Sequence, residues 1–561
     1  KAENQPCAGC GICSEGCFNG QASLKWQESH LALGNKASSL VKTKHISLSG
    51  KLTMIFFIFR QQAISLLISV FLTLALTLSI RSQVHYLGNG SPWNRKSESG
   101  PDAEVGGWYY NLGTTGIRVQ LIAEAPKHLL VKYVFNNSPA WRKIHPNDIL
   151  VGVDYQLFTI AHKNGYGMDK FGPDGPILEF ATALESCQAE SGKGLLPITL
   201  VRRGQTEVVV LDVGQDNGSY AHSFPFNCQK TERVRQQLCD YLVEHQGEDG
   251  SWGIPPQDTF APLALLASGQ ESHLEAVKKN VKMHAETTKV EDDSWLINWR
   301  YMAAAIVMSE YYLATGEKWV LKELEEVYAF LTSSQYINMD QIDPKVKETH
   351  PHAYPKDETD SHGGWGHNPG FEGYGPISML TAQGALAFAL MHRCGIDIDQ
   401  ARHQAAYEFL RRSAGTNGYI WYKDQAAGEN DWADMGRTGA SAIAHQLSPY
   451  QGNHYRQRAR LQAEVIGRHP QSFPDTHGSP IMGMGYTAVG ASVLPSSFNR
   501  LMVANRWWFI LAECHDGSFY YQPNRDNAGY GSDSRISASA VTAFIFSIPK
   551  GNLYLTREKS D

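Results

Sequence analysis

The chain has 561 residues, of which 42% are hydrophobic and 19% charged, with 51 Gly and 25 Pro. This is the composition of a globular protein with enough length for several domains, and it excludes a disordered chain, a collagen and a coiled coil. Lys and Arg total 50 against 56 Asp and Glu, which gives a net charge of −6. Without a long basic run, binding to the phosphates of nucleic acid is not indicated.

Four of the nine cysteines lie close together at the start of the chain, at Cys7, Cys10, Cys13 and Cys17. Their spacing, C-x2-C-x2-C-x3-C, is typical of a loop that wraps a 4Fe–4S cluster, although Phe18 stands where a proline usually follows. The first methionine of the chain is Met54. We therefore predict that residues 1–53 are an unstructured or read-through extension without a cluster, and a genuine cluster is the alternative.

An apolar run from Ala63 to Ile80 follows Lys51 and Arg60. Residues 54–82 match a secretory signal peptide or a retained membrane anchor, and a buried core helix is the third interpretation. The segment predicts a secreted or periplasmic protein that contacts the membrane, if at all, only through this N-terminal part. Residues 83–106 are polar and rich in Gly, Ser and Asn, which predicts a linker.

Short β-rich runs separated by turns dominate residues 107–215. They predict an amphipathic helix over 177–186 and strands over 116–122, 129–135, 148–153, 196–201 and 206–211. The segments Val134–Trp141, His145–Asp154 and Leu200–Val208 resemble a PDZ domain. The resemblance implies a small β-rich α+β domain.

In a PDZ domain, an extended peptide adds to a sheet edge, and the N–H groups of a Gly-containing loop hold its terminal carboxylate. The resemblance implies this peptide-binding role for Leu112, Gly113, Thr115, Gly116 and Ile117, with the helix over 177–186 as the other wall. Because this loop departs from the usual apolar–Gly–apolar pattern, a PDZ fold used only for packing or docking is the alternative.

Apolar stripes with helical period replace the strands between residues 226 and 550, and they predict helices over 234–243, 299–313, 320–331 and 381–392. Gly–aromatic turns recur between the helices at Gly250, Gly363, Gly418 and Gly517. The gaps of 113, 55 and 99 residues equal two, one and two units of roughly 50–56 residues. One such unit accommodates a helical hairpin, so the pattern predicts a repeat of hairpins.

The segment Gln246–Trp252 reads Q-x3-G-x-W and resembles the repeat motif of the α/α-toroid superfamily of terpenoid cyclases and protein prenyltransferases. The resemblance implies an all-α α/α-toroid of helical hairpins after the PDZ-like domain. A cyclase acid motif D-x-D-D is absent, since Glu291–Asp293 does not match it, and a prenyltransferase zinc set is also absent. As a whole, the chain is similar to a secreted bacterial family of unknown function that combines a PDZ-like domain with a toroid.

Polar and aromatic residues at the predicted turns and helix starts would face the cavity of such a toroid. We predict catalytic roles for His362, His367, Tyr374, Arg437, His477 and Tyr486, and expect at least three of them to line one pocket. His and Tyr can move protons, and Arg can neutralise the carboxylate of a uronic acid. The His- and acid-rich stretch from His350 to His367 is interpreted as a loose divalent-metal site, a solvated polar loop or a metal-free catalytic rim.

These features together predict an exported protein whose toroid binds or processes a polysaccharide, by lyase or hydrolase chemistry, while the PDZ-like domain binds a protein C-terminal peptide or docks a partner. A non-catalytic envelope scaffold and a terpenoid cyclase-like enzyme are the alternatives. No organic cofactor is expected, and a serine protease is disfavoured because a G-x-S-x-G elbow is missing. Cys228 and Cys239 could close a disulfide in an oxidising compartment.

Overall fold

The computed structural model describes residues 109–122, 124–162, 174–215, 217–289, 296–476, 481–520, 522 and 535–557. All of these residues belong to the same structural unit. The predicted segments 1–53, 54–82 and 83–106, the four N-terminal cysteines and His477 lie outside the described residues. Within them, no helix combines the length and hydropathy that a membrane crossing requires.

The N-terminal part of the described chain is an antiparallel sheet with one helix. The strands are β1 (Tyr109–Asn111), β2 (Ile117–Leu121), β3 (Leu129–Val134), β4 (Ile149–Val153), β5 (Gln156–Leu157), β6 (Leu195–Arg202) and β7 (Gln205–Asp212), and helix α1 (Pro176–Gln188) precedes β6. Their order is β1-β2-β3-β4-β6-β7, and β5 pairs with β4. The predicted strands and helix are confirmed, whereas β1 and β5 are too short to show a period of two.

The C-terminal part is helical. Its helices are α2 (Gln229–Glu244), α3 (Gln257–Ser268), α4 (Leu274–Thr287), α5 (Ile297–Thr315), α6 (Trp319–Ser334), α7 (Val346–Thr349), α8 (Ser378–Cys394), α9 (Gln400–Arg412), α10 (Gly436–Gln446), α11 (Asn453–Arg468), α12 (Ile481–Ala491), α13 (Pro495–Ala504), α14 (Arg506–Ala512) and α15 (Arg535–Ser547). The four helices predicted from apolar stripes correspond to α2, α5, α6 and α8, so these predictions are confirmed.

Six of the described helices form a closed inner ring. In the order α3, α5, α8, α10, α12 and α15, each contacts the next, and α15 contacts α3. Helices α2, α4, α6, α9, α11 and α13 pack against the outside of this ring, so the chain alternates between outer and inner helices. The inner helices are buried almost all round, as expected for helices that are apolar on every face. This arrangement is an α/α toroid.

The inner helices α10 and α12 cross closely and run in the same direction. A Cβ atom on Gly436 would lie 3.0 Å from the Cα atom of Gly483, and a Cβ atom on Gly439 would overlap the carbonyl oxygen of Tyr486. Gly436 thus meets residue 483 and Gly439 meets residue 486, so the residue numbers of the contacting positions increase together along the two helices. This is the register of a parallel pair. Since one outer helix separates successive inner helices, the N-terminal ends of the inner ring lie at one end of the toroid. We call this end the mouth.

The four Gly–aromatic turns are structurally equivalent. Their glycines have φ angles of 93°, 87°, 90° and 83°, which side chains with a Cβ atom rarely adopt. Two residues after each glycine, a backbone N–H donates to a side-chain oxygen near the start of the next inner helix: Trp252 to Asp258, Trp365 to Thr381, Ile420 to Thr438 and Phe519 to Ser539. The hairpin repeat is confirmed, with equivalent turns before α3, α8, α10 and α15.

Gln335 has the same role in its repeat as Gln246 has in the first, although an insertion separates Gln335 from its turn. Gln246 Nε2 donates to the carbonyl oxygen of Gly250 at 2.9 Å, and Gln335 Nε2 donates to that of Gly363 at 2.8 Å. Four residues separate the first pair and 28 separate the second. The intervening segment contains most of the His-rich stretch, so this stretch is an insertion within one repeat.

The cysteines of the described chain are free thiols, including Cys228 and Cys239. Cys239 lies on α2 and Cys228 immediately precedes this helix. A helix rises about 1.5 Å per residue, so the two Cα atoms lie much farther apart than the roughly 7 Å limit for a disulfide. The predicted Cys228–Cys239 disulfide is therefore wrong.

Candidate functional site

Five side chains at the mouth form a continuous chain of contacts, which we call the His367 chain: Trp299, His367, Tyr374, Tyr422 and Arg437. The indole Nε1–H of Trp299 donates to His367 Nδ1 at 2.8 Å, and His367 Nε2 shares a short hydrogen bond with the hydroxyl of Tyr374. The Tyr374 hydroxyl lies 3.2 Å from that of Tyr422, whose ring centroid lies 5.5 Å from the guanidinium carbon of Arg437. Three predicted site residues are thus brought together.

The backbone fixes these side chains relative to one another. Trp299 lies in the first turn of α5, and the neighbouring Asn298 holds the segment of His367, because its backbone N–H donates to the His367 carbonyl oxygen at 3.1 Å. The Asn298 side chain donates to the carbonyl oxygen of Gly366 at 2.9 Å. Ser378, the first residue of α8, donates its N–H to the Tyr422 carbonyl oxygen at 2.9 Å. Three repeats therefore meet at this site.

The partners of His367 determine its tautomer. An indole N–H can only donate, so His367 Nδ1 must accept and the ring is neutral with its proton on Nε2. The Nε2–H then donates to the hydroxyl oxygen of Tyr374. The ammonium of Lys423 lies 5.0 Å from the centroid of the Tyr374 ring. Tyr374 thus accepts a hydrogen bond at its hydroxyl oxygen and has a cation beside its ring.

Arg437 is buried and its donors are engaged within the protein. It forms an ion pair with Asp434, donates from one terminal nitrogen to the Tyr419 hydroxyl at 2.9 Å and from Nε to the Ile420 carbonyl oxygen at 3.4 Å. Burial acts to lower the pKa of Arg437, but the charge of Asp434 outweighs it and raises this pKa above its usual value. Arg437 therefore supports Tyr422, and Lys423 is the cation beside Tyr374, a difference from the predicted contact between Arg437 and a uronate.

His362 does not join the His367 chain. Its carbonyl oxygen accepts a hydrogen bond from Arg412 of α9 at 2.8 Å. Burial, together with the charges of Arg412 and Arg402, lowers the pKa of His362. In the His-rich stretch, the His350 ring lies 6.3 Å from the Tyr374 ring, centroid to centroid. Among the described residues, no three His, Cys, Asp or Glu side chains are grouped so that they could hold a metal ion.

Tyr486 lines a small cavity at the mouth, with room for about one water molecule, together with Pro255, Pro256, Thr259, Phe260, Trp299, Gln383 and Met482. Trp299 is the wall that separates this cavity from His367, because the same indole ring lines one and hydrogen-bonds the other. Of the predicted residues that the structure describes, only Tyr486 lies on the cavity. The other three lie beyond Trp299, so the expected single pocket divides into a cavity and an adjacent polar chain.

Two buried carboxylates near the mouth are engaged in structural hydrogen bonds. Asp258 accepts from the Ser251 hydroxyl at 2.7 Å and from the Trp252 N–H at 2.7 Å, and burial raises the pKa of Asp258 to about 6. Asp434 is the partner of Arg437. Neither carboxylate belongs to the His367 chain. The titratable groups in contact there are the imidazole of His367 and the phenols of Tyr374 and Tyr422.

The predicted peptide-binding loop lies between the sheet and the helical part. Leu112, Gly113, Thr115, Gly116 and Ile117 are all buried. A Cβ atom on Gly113 would lie 2.8 Å from the carbonyl oxygen of Ile510 in α14. Strand β2 pairs with β1 on one edge and with β3 on the other. A peptide could add beside β2 only by displacing one of these strands, so the geometry favours packing over peptide capture.

The family model described as "Domain of unknown function (DUF6288)" matches residues 231–556, which is more than half of the chain. The chain belongs to the DUF6288 family. No curated protein matches the chain. The DUF6288 match begins within α2 and extends beyond α15, so it covers the whole helical ring.

Solved structures with similarity to this DUF6288 protein share little sequence with it. A Listeria innocua protein is 10% identical with a TM-score of 0.39, and the alignment covers 57% of this chain and 97% of the Listeria chain. An inactive variant of the α-1,6-mannanase of Salegentibacter sp. HEL1_6, solved with α-1,6-mannotetrose, is 12% identical with a TM-score of 0.40. The alignment covers 56% of this chain and 98% of the mannanase chain. A family 76 glycoside hydrolase from a bovine Bacteroides thetaiotaomicron strain is 11% identical with a TM-score of 0.41. The alignment covers 64% of this chain and 84% of the hydrolase chain. At these TM-scores they assign neither reaction nor substrate to this chain.

Proposed function

We propose that the mouth of the toroid cleaves a uronate-containing polysaccharide by elimination, with Tyr374 as the group that moves the proton. The observation that carries this proposal is the contact between a neutral His367 and the Tyr374 oxygen. A phenol whose oxygen accepts from an imidazole N–H and lies beside the Lys423 cation is suited to hold negative charge. Such a phenolate can act as a general base.

In the proposed reaction, the Tyr374 oxygen takes the proton from the ring carbon that bears the carboxylate. The electron pair of that C–H bond forms a carbon–carbon double bond, and the glycosidic C–O bond breaks at the neighbouring carbon. The departing oxygen takes a proton, which the Tyr374 hydroxyl can return. Lys423 neutralises the carboxylate, and His367 stabilises the charge on Tyr374 throughout.

The two buried carboxylates near the mouth are already engaged, which favours elimination over hydrolysis there. Most glycoside hydrolases need two carboxyl groups that flank the bond to be cleaved. Asp258 is occupied by the turn before α3, and Asp434 by Arg437. The His367 chain instead offers an imidazole and a phenol in contact, a pair suited to proton transfer.

The test is a comparison of the wild-type protein with Tyr374→Phe on a panel of acidic and neutral polysaccharides. Elimination creates a double bond conjugated to the carboxylate, which absorbs ultraviolet light, whereas hydrolysis creates new reducing ends without this absorbance. We expect elimination products from an acidic polysaccharide and a loss of rate of about 100-fold or more in Tyr374→Phe, the usual effect of removing a general base. Tyr354→Phe, in the inserted segment before Gly363, is the control and should keep its activity.

Products without the double bond, or full activity in Tyr374→Phe, would contradict the proposal. Binding of a polysaccharide without any product would favour the non-catalytic envelope scaffold. For the sheet we propose a docking and packing role within a PDZ-like fold, supported by the burial of residues 112–117 against α14. Export is part of the same proposal and rests on the signal-like run from Ala63 to Ile80.

A further inference from the structure

The two phenol hydroxyls of the His367 chain are too close together to lie on opposite sides of a sugar ring. The hydroxyl oxygens of Tyr374 and Tyr422 are 3.2 Å apart, which is within hydrogen-bond distance. Catalytic groups that flank a sugar from two sides stand about 5 Å or more apart, because the ring lies between them. Carbon atoms in contact are already about 3.5–4.0 Å apart, so a ring has no room between these two oxygens. A sugar that reaches both hydroxyls therefore presents one face to them.

The fold sets the spacing of the two phenols. His367 hydrogen-bonds to the hydroxyl of Tyr374. The backbone N–H of Ser378 donates to the carbonyl oxygen of Tyr422 at 2.9 Å, and the guanidinium carbon of Arg437 lies 5.5 Å from the centroid of the Tyr422 ring. Both phenols are partly exposed at the mouth, so a substrate can reach them. The pair thus combines a separation set by its neighbours with access from outside.

Proton transfer to Tyr374 changes what the Tyr422 hydroxyl can do. In the proposed reaction, Tyr374 begins as a phenolate, which can only accept, so the Tyr422 hydroxyl donates to it. Once Tyr374 has taken a proton from the substrate, its oxygen becomes a donor, and the Tyr422 oxygen is within reach as the acceptor. The hydrogen of Tyr422 is then available to the departing oxygen of the substrate, which lies on the carbon next to the one that lost its proton.

We propose that Tyr422 is the acid that protonates the departing oxygen, and that both reacting bonds of the substrate lie on the same face of its sugar ring. This inference rests on the proposed function. The substrate C–H proton goes to the Tyr374 oxygen, the C–H electron pair forms the carbon–carbon double bond, and the departing oxygen takes the proton of Tyr422 as its C–O bond breaks. The hydrogen on Tyr374 then passes to the Tyr422 oxygen, which restores the phenolate and the phenol.

A same-face reaction selects the configuration of the uronate. In glucuronate and mannuronate units, the hydrogen that is removed and the departing oxygen lie on the same face of the ring. In galacturonate and guluronate units they lie on opposite faces, and their elimination needs a base and an acid on two sides of the sugar. Two hydroxyls that are 3.2 Å apart do not meet this need. The substrate class is therefore a polymer of glucuronate or mannuronate, whose carboxylate meets Lys423 beside Tyr374.

The first experiment compares two pairs of polymers with the full chain, and it follows the ultraviolet absorbance of the new double bond. Mannuronate and guluronate units differ only at the carbon that loses the proton, and glucuronate and galacturonate units differ only at the carbon that loses the oxygen. We expect product from polymannuronate, polyglucuronate or both, at a rate about 100-fold or more above that of the opposite-face partner, since the acid is missing on that second face. Equal or faster elimination from polyguluronate or polygalacturonate would overturn the same-face assignment.

The second experiment tests Tyr422 with a leaving group that needs no acid. The probe is a methyl uronoside of the preferred configuration with fluoride in place of the departing oxygen, because fluoride leaves without a proton. Tyr422→Phe should lower kcat on the polymer about 100-fold but keep the rate on the fluoride probe within about threefold of the wild type, and Tyr374→Phe should lose both activities. An equal loss of Tyr422→Phe on both substrates would indicate a structural role and overturn the assignment, as would full activity of Tyr422→Phe on the polymer.

Tyr450→Phe is the matched control for Tyr422→Phe. Tyr450 is also partly buried, but its ring packs against His403 and Tyr407. This variant should turn over both substrates like the wild-type protein. Elimination that depends on Tyr374 but prefers the opposite-face polymers, or is indifferent to Tyr422, would refute this inference and leave the proposed function standing. Absence of elimination from every acidic polysaccharide would refute the proposed function, and this inference with it.

Discussion

The buried carboxylate of Asp258, at the start of α3, accepts hydrogen bonds from the first of the four equivalent turns. Its replacement by Asn tests the free-energy cost of ionising this carboxylate in the folded protein. In the folded protein, burial raises the pKa of Asp258 from an ordinary value of 3.8 to about 6. An asparagine has the same shape. Its Oδ1 can still accept from the Trp252 N–H, and its amide nitrogen can donate to the Ser251 hydroxyl, which now accepts.

The magnitude follows from the difference between the folded and unfolded states. Well below pH 4 Asp258 is protonated in both states, and well above pH 6 it is ionised in both. Between these values the folded state binds more protons, so stability decreases as the pH rises. One pKa unit corresponds to about 1.4 kcal/mol, and a difference of about two units therefore removes up to about 3 kcal/mol between pH 4 and pH 7. Asp258→Asn cannot titrate and should escape this loss.

The assay is urea unfolding of both proteins at pH 4 and pH 7. The free energy of unfolding of Asp258→Asn minus that of the wild type should be larger at pH 7 than at pH 4 by up to about 3 kcal/mol. This double difference cancels any constant effect of the amide. Glu248→Gln, an exposed neighbour, should show no such change. A difference that is the same at both pH values would refute the argument that Asp258 is ionised at a cost.

Two further predictions concern the inner ring. Gly439→Ala should lower the free energy of unfolding by about 1–3 kcal/mol because its methyl group overlaps the backbone of α12, and Gly436→Ala, with a 3.0 Å approach, should cost less; thermal unfolding of both measures this order. Thr381→Val removes the acceptor of the buried Trp365 N–H and should cost about 1–3 kcal/mol in urea unfolding. Thr542→Val is its control, since that buried hydroxyl has no partner among the described residues, and an equal loss in both variants would contradict the role of the repeated hydrogen bond.

The sequence predicted the repeat because each of its parts is local. The glycine, the following aromatic residue and the next inner helix lie within one stretch of chain, and the gaps between glycines count the missing units. The glutamine of the Gly363 repeat could not be recognised from the motif, because Gln335 lies 28 residues before this glycine, whereas Gln246 lies four residues before Gly250. An insertion lengthens the loop but leaves the hydrogen bond in place.

The site was predicted only in part. His367, Tyr374 and Arg437 were selected because polar residues near turns face the cavity of a toroid, and the structure brings them together. Trp299 and Tyr422 were missed, since they contact residues 68 and 48 positions away in other repeats. Contacts between neighbouring repeats join residues that are far apart in the chain, and they leave no spacing that a sequence pattern could reveal.

The amino-acid sequence by itself determined the five longer strands, the sheet helix, four of the later helices and the repeat of hairpins, because the hydrophobic period and the turn residues act over a few neighbouring positions. Only the tertiary structure decided that the inner helices close into a ring, that Arg437 is paired with Asp434, and that the loop over residues 112–117 is buried. It also decided the tautomer of His367, through an indole N–H from another repeat. These outcomes depend on which surfaces meet after the chain has folded, and residues far apart in the chain supply them.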